Sequence, residues 1–158
     1  RDGMPSPVRL IDGSGTVMAI EDNGVDGAFK PVMVFSPAEE EWVGDAVPGD
    51  SDRRWPALTP PLAASVYAGA PHLCQLSTGA TILSVQSDEG SPGARRMTVY
   101  VGGPDARGFA HPSRPFPGIA RWNSLHVHPD DTVTAVATAA VAGVEGVWTM
   151  DGRLGPTG

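Results

Sequence analysis

Short apolar runs broken by polar turns follow one another along the chain. Residues 8–10, 16–20 and 31–35 form one group of such runs, 72–76, 80–85 and 97–101 a second, and 124–127, 132–138 and 144–150 a third. Runs this short, rich in Val, Ile and Thr and bounded by Gly, Pro, Asp and Ser, predict strands rather than helices. Each group opens with strand, turn, strand. The turns are Asp12-Gly13-Ser14-Gly15, Ser77-Thr78-Gly79 and His128-Pro129-Asp130-Asp131. Gly and Asp tolerate the positive φ that tight hairpins require. The second run of each group is apolar at nearly every position, the pattern of a strand covered on both faces.

The groups also align with one another. Gly3-Met4-Pro5 matches Gly69-Ala70-Pro71, and "VMAI" (17–20) matches "ILSV" (82–85) and "VTAV" (133–136). The spacing is roughly 65 and then roughly 50 residues, and antiparallel repeats of this size suggest the blades of a β-propeller. The expectation is an all-β chain of about three four-stranded antiparallel blades in one domain, residues 1–158, divided near 1–62, 63–118 and 119–158. The Pro-rich stretches 44–62 and 102–118 read as fixed crossings between blades. Residues 37–42 offer one turn of helix, and 134–143 has an Ala-rich helical propensity. Thr132, Val133, Thr134 and Val136 favour strand for the start of that second segment. A closed propeller has at least four blades. Three would leave open sheet edges, and the chain begins Arg1-Asp2-Gly3 without an initiator Met. Both points suggest a part of a longer protein, or one that pairs with another chain.

Composition narrows the function classes. With 158 residues, 41% of them apolar and 18% charged, the chain is long enough for a core of its own. Its formal charge is −7, Lys30 is its one lysine, and no basic patch interleaved with aromatics occurs, which argues against nucleic-acid binding. Cys74 is the single cysteine, so an internal disulfide and a cysteine-based zinc site are excluded, and a buried apolar role is expected. No run of about 18 apolar residues offers a membrane-spanning helix, and no signal peptide is visible.

Two of the buried runs end in acids. "VMAIEDNG" reaches Glu21 and Asp22, and "ILSVQSDEG" reaches Asp88 and Glu89. Equivalent strands of adjacent blades end on one face, so these acids could converge. Two carboxyl groups flanking a glycosidic bond divide the work of hydrolysis. One protonates the leaving oxygen, and the other attacks the sugar carbon or activates water. A separation of about 5 Å means retention of configuration and a longer one inversion. Asp, Asn and Gly are equally ordinary turn residues, so a pair of solvated turns is the other reading. His126 and His128 share one side of a strand but lack an obvious third ligand, and an exposed strand face explains them. Gly13-Ser14-Gly15 lacks the frame of a nucleophile elbow. The Gly-rich turns lack the context of a phosphate loop, and Glu39-Glu40-Glu41 reads as a solvated turn.

A family resemblance adds to these readings. "RDGMPSPVRLIDGSGTVMAIEDNG" resembles the blade opening of sialidase-like six-bladed propellers, in which a Gly-x-Pro stretch and a hairpin lead to an acid. "YAGAPHLCQLSTGATILSVQSDEG" is similar to the next blade of the exo-arabinanase branch, glycoside hydrolase family 93. "RWNSLHVHPDDTVTAVAT" resembles the blade after that. The resemblance implies a six-bladed propeller and an exo-acting, retaining glycosidase that needs no metal or cofactor. It implies Glu21 as acid/base and Glu89 as nucleophile, Arg1 and Asp2 as a substrate-binding pair, and Trp122 and Asn123 as sugar contacts. The partners it implies are an oligosaccharide or polysaccharide and the remaining blades, in an extracellular or periplasmic setting. The chain alone would then be poorly active. A non-catalytic propeller that binds carbohydrate or protein is the alternative. The chain departs from arginine-triad sialidases: only part of such a triad is present, and no Tyr-Glu pair can be traced. The Ser-x-Asp-x-Gly-x-x-Trp turn of the superfamily is reduced to "SPAEEEW" (36–42), which keeps Ser36 and Trp42 without the Asp and Gly.

Overall fold

A computed structural model describes residues 2–22, 28–38 and 53–155 of the chain. It contains three antiparallel sheets. The first has the order β1 (Asp2–Arg9), β2 (Gly15–Asp22), β3 (Lys30–Pro37) and β4 (Arg54–Pro56). The second runs β5 (Ala68–Gln75), β6 (Thr81–Ser87), β7 (Arg96–Gly102) and β8 (Ala110–Ser113). The third holds β9 (Ala120–Val127), β10 (Val133–Val141) and β11 (Val144–Gly152). None of the sheets closes on itself.

The first hairpins of the three sheets share one turn geometry. Gly13, Gly79 and Asp131 donate N–H to the carbonyls of Leu10, Leu76 and His128, at 3.0, 2.9 and 3.0 Å. Their φ values are 77°, 92° and 62°. The third turn uses Asp where the others use Gly, which the left-handed region allows at modest cost. The first strands repeat a second feature. Met4, Ala70 and Trp122 have φ values of 48°, 50° and 52°, and each sits at a break in the pairing register. These are β-bulges at equivalent places. The Gly-x-Pro match of the first two repeats therefore extends to Arg121-Trp122-Asn123, which carries neither Gly nor Pro.

Three expectations change. The Pro-rich stretches are more than crossings, because they contain β4 and β8, the fourth strands of their sheets. The third sheet has three strands rather than four. Residues 133–141 form strand throughout despite their alanines, because β10 pairs with β9 on one side and β11 on the other. Tertiary pairing outweighs a helix propensity worth only tenths of a kcal/mol per residue, of order ~0.5. Residues 39–42 of the helical-turn reading, and Glu39-Glu40-Glu41, lie outside the described residues.

Two cores separate the sheets. Val17, Ala19, Met33, Leu73, Leu83, Val85, Tyr100 and Phe109 pack between the first and second. Ile82, Met97, Phe116, Leu125, Ala135 and Ala137 pack between the second and third. Strand β6 feeds both, because successive side chains point to opposite faces. It alone is buried along its whole length. β2 alternates, and β10 exposes Thr138 and Ala140 on its far face. The inner strands are tied by an equivalent bond at each junction. Leu73 N–H donates to Ser6 Oγ at 2.9 Å, and Leu125 N–H donates to His72 Nδ1 at 3.3 Å. Cys74 is half-buried, and burial pushes its thiol up to about 12, so it stays protonated and unreactive.

Candidate functional site

Glu21 is the next-to-last residue of β2, on the face that Val17 and Ala19 turn toward the second sheet. Its Oε2 accepts the N–H of Ala70 at 2.7 Å. The bulge takes that N–H out of the ladder, so a carboxylate from the neighbouring sheet satisfies it. Asn123 completes the clamp from the third sheet, donating from Nδ2 to the Ala70 carbonyl at 3.0 Å. Its Oδ1 accepts Ser84 Oγ–H. Ala70 is thus held from both sides.

Tyr67 stands beside this clamp. Its N–H donates to Asp88 Oδ1 at 2.8 Å, and its carbonyl accepts Asp88 N–H at 3.2 Å. The Arg95 guanidinium lies 4.0 Å from the centre of its ring, a cation–π distance, and Phe29 meets the ring edge-on at 6.1 Å. Burial raises the phenol pKa above its ordinary value. The Glu21 carboxylate adds to the shift, Arg95 opposes it, and Asp88 adds a smaller share. Gly69 lies where these groups meet. A methyl group there would fall 2.6 Å from Glu21 Oε2 and closer still to Tyr67 Oη. The absence of a side chain at Gly69 lets a carboxylate and a protonated phenol converge.

Glu89 sits elsewhere. Its N–H donates to Ser87 Oγ at 3.1 Å, and its Oε2 lies 3.8 Å from Arg114 Nη2, which also donates to its carbonyl at 3.2 Å. Arg114 directly follows β8, the outermost strand of the second sheet. Tyr100 is the nearest phenol, pushed up to about 12 by burial first and by Glu89 second. The register agrees with the match of "VMAI" to "ILSV", which sets Glu21 against Gln86 rather than Glu89. Glu21 pairs with Gly3 as Gln86 pairs with Gly69, so Gln86, only 3% exposed, is the counterpart of Glu21. Glu89 comes three residues later. No hydrogen bond or ion pair joins Glu21 to Glu89 among the described residues. Asp88, which holds Tyr67, is the acid of "SDEG" that shares a neighbour with Glu21.

Of the remaining candidates, Arg1 lies outside the described residues, and Asp2 is described only as the strand partner of Asp22. Trp122 is 68% exposed at the third bulge. The Asn123 amide is committed to Ala70 and Ser84. His126 and His128 stack edge to face at 4.7 Å, with His128 Nε2 bonded to Thr134 Oγ1 at 2.7 Å. No group of three His, Cys, Asp or Glu side chains placed to hold a metal occurs among the described residues.

His72, next to the clamp, ties stability to pH. Nδ1 accepts Leu125 N–H only when the ring is neutral, and Nε2 lies 3.4 Å from Ser124 Oγ. Burial lowers its pKa below 6.5. In that window the unfolded chain binds the proton and the folded chain does not. The stability present above pH 6.5 is therefore lost as pH falls through the folded-state pKa. Denaturant midpoints are expected to fall between pH 7.5 and pH 5, and the His72→Gln chain should show a shallower fall. An equal slope in both chains would remove His72 as the cause.

No family model, curated protein or solved structure matches the chain.

Proposed function

We propose that the chain is part of a sialidase-like exo-glycosidase, three blades of a six-bladed propeller that cleaves terminal sugars from an oligosaccharide or polysaccharide with retention. The convergence of Glu21 Oε2 and Tyr67 Oη on Gly69 carries this reading. The three repeated sheets, with their matching turns and bulges, support the propeller part of it. A phenol kept protonated by burial is a poor nucleophile until a neighbouring base takes its proton. Glu21 takes the Tyr67 proton as Oη bonds to the anomeric carbon and the bond to the leaving oxygen breaks. Water then releases the sugar by the reverse displacement. The leaving oxygen takes its proton from a general acid that the described neighbours of Glu21 do not include. The remaining blades supply that acid and the rest of the pocket, so the chain alone turns over poorly. Glu89 as nucleophile is the weaker form of the same reading, because its carboxylate is paired with Arg114. The family likeness favours an extracellular or periplasmic setting.

The test is hydrolysis of arabinan-derived and sialoside substrates by the longest natural polypeptide carrying this chain. Glu21→Gln and Tyr67→Phe are each expected to lower turnover by at least about 100-fold, with Glu89→Gln close to wild type. Unchanged turnover in Glu21→Gln would remove Glu21 from the reaction. One observation favours a second reading, a non-catalytic propeller that binds carbohydrate or protein: Glu21 Oε2 is already bonded to a backbone N–H. In that case Glu21→Gln shifts only the unfolding midpoint.

A further inference from the structure

One face of β7 carries three polar atoms that nothing pairs. Arg96, Thr98 and Tyr100 alternate along the strand, so their side chains stand on the same side of the sheet. Their partners across β6 are Ser87, Val85 and Leu83. Leu83, Val85 and Tyr100 belong to the core between the first two sheets, so this face looks into that core. Thr98 is fully buried, and Tyr100 is 4% exposed. Thr98 Oγ1, Tyr100 Oη and Arg96 Nε are sealed from solvent, and none has a hydrogen-bond partner among the described residues. No ion pair engages the Arg96 guanidinium among them either. Buried polar groups are nearly always paired, and a cation without a counter-charge is the costliest exception.

The three groups meet over Thr98, the short middle member of the row. Glu89 acts on the Tyr100 phenol, and Glu89 N–H is bonded to Ser87, the cross-strand partner of Arg96. The Tyr100 hydroxyl therefore lies toward the Arg96 end of β7. Arg96 is itself partly exposed, which gives a small ion a way in. Chemistry selects the occupant. Arg Nε–H only donates, and both hydroxyls are free to donate. Water would serve the hydroxyls and leave the guanidinium charge unmatched. A phosphate or carboxylate brings several oxygens, each with its own demand for donors. A monatomic anion accepts from any direction and offsets one charge. Glu89 does not fill this role, because its carboxylate lies against Arg114 at 3.8 Å.

We infer that Arg96, Thr98 and Tyr100 form an anion site on β7 that holds a single halide ion, chloride under ordinary conditions, between the first two sheets. Only the folded chain assembles the three donors, so chloride stabilises it by mass action. Neither Glu21 nor Tyr67 supplies a donor, so the site stands or falls separately from the proposed hydrolysis.

The test is halide binding to the whole chain. Crystals soaked in bromide are expected to show an anomalous peak within hydrogen-bonding distance of Arg96 Nε, Thr98 Oγ1 and Tyr100 Oη. In solution, chloride-35 line broadening reads the affinity. Thr98→Val keeps the shape and removes one donor, and it should weaken chloride by at least about tenfold, because hydrogen bonds to charged groups are among the stronger ones. Tyr100→Phe should act in the same way. Chloride should raise the urea midpoint of the parent chain relative to gluconate at equal ionic strength, and this gain should be absent in Thr98→Val. Circular dichroism checks that each variant keeps the fold. The inference is overturned by bromide found only at other arginines, by water or the Glu89 carboxylate occupying the three donors, or by an equal chloride effect in Thr98→Val.

Discussion

Phe109→Ala is expected to lower the free energy of unfolding by about 3–5 kcal/mol. Phe109 is fully buried, and its ring fills the space a side chain on Gly102 would need, 2.8 Å from where that side chain would begin. Its carbonyl accepts Thr59 N–H at 3.0 Å, and its backbone bridges to Leu58. The Phe109 backbone thus fastens the connection after β4 onto the second sheet, and its ring packs in the core shared by the first two sheets, to which Leu58 of that connection also belongs. Truncation to Ala removes that apolar burial and leaves a cavity flanked by Gly102, which has no side chain to collapse into it. Urea unfolding should show the loss as a lower midpoint at unchanged slope. Phe109→Leu keeps most of the volume and should cost under about 1.5 kcal/mol. A loss below about 1 kcal/mol in Phe109→Ala would mean that the connection contributes little to the core.

The long strands were legible because burial writes a pattern. β2, β6 and β10 are strands of seven to nine residues rich in β-branched and apolar positions, and the two cores impose that composition. β4 and β8 were hidden for the opposite reason. Strands of three and four residues containing proline have no periodicity, and they exist only because the edges of β3 and β7 accept them. The bulges were half visible. Gly-x-Pro marked two of them, whereas Trp122 adopts the same φ through the register of β9 on β10.

At the site, the acid at the end of β2 could be read from the chain, and its partner could not. "QSDEG" runs past the end of β6, so Glu89 lies three residues beyond Gln86, the pairing equivalent of Glu21, and the acids that close two similar runs hold different places in their sheets. Tyr67 reaches Glu21 only because the first two sheets pack face to face. No local spacing records a meeting between residues so far apart in sequence.

Gly69→Ala is expected to cost about 1–3 kcal/mol, although Gly69 has no need of left-handed backbone. The cost comes from crowding. The new methyl would lie 2.6 Å from Glu21 Oε2, 2.7 Å from Tyr67 Cζ and closer still to Tyr67 Oη. Either the phenol swings out or the carboxylate gives up Ala70 N–H, leaving a buried donor unpaired. Tyr67→Leu removes both tyrosine atoms at the point of collision, so the same methyl should be tolerated better in that background. The double-mutant cycle is expected to show a coupling of at least about 0.5 kcal/mol. Phenol titration gives a second reading. If the methyl drives Tyr67 away from Glu21 and out of its half-buried position, the two largest causes of its raised pKa, burial and Glu21, weaken, and the Tyr67 pKa should fall toward 10.0. Equal costs of Gly69→Ala in the two backgrounds would show that the phenol and the carboxylate do not meet over Gly69. The pairing of Glu21 with Tyr67 would then have no geometric basis.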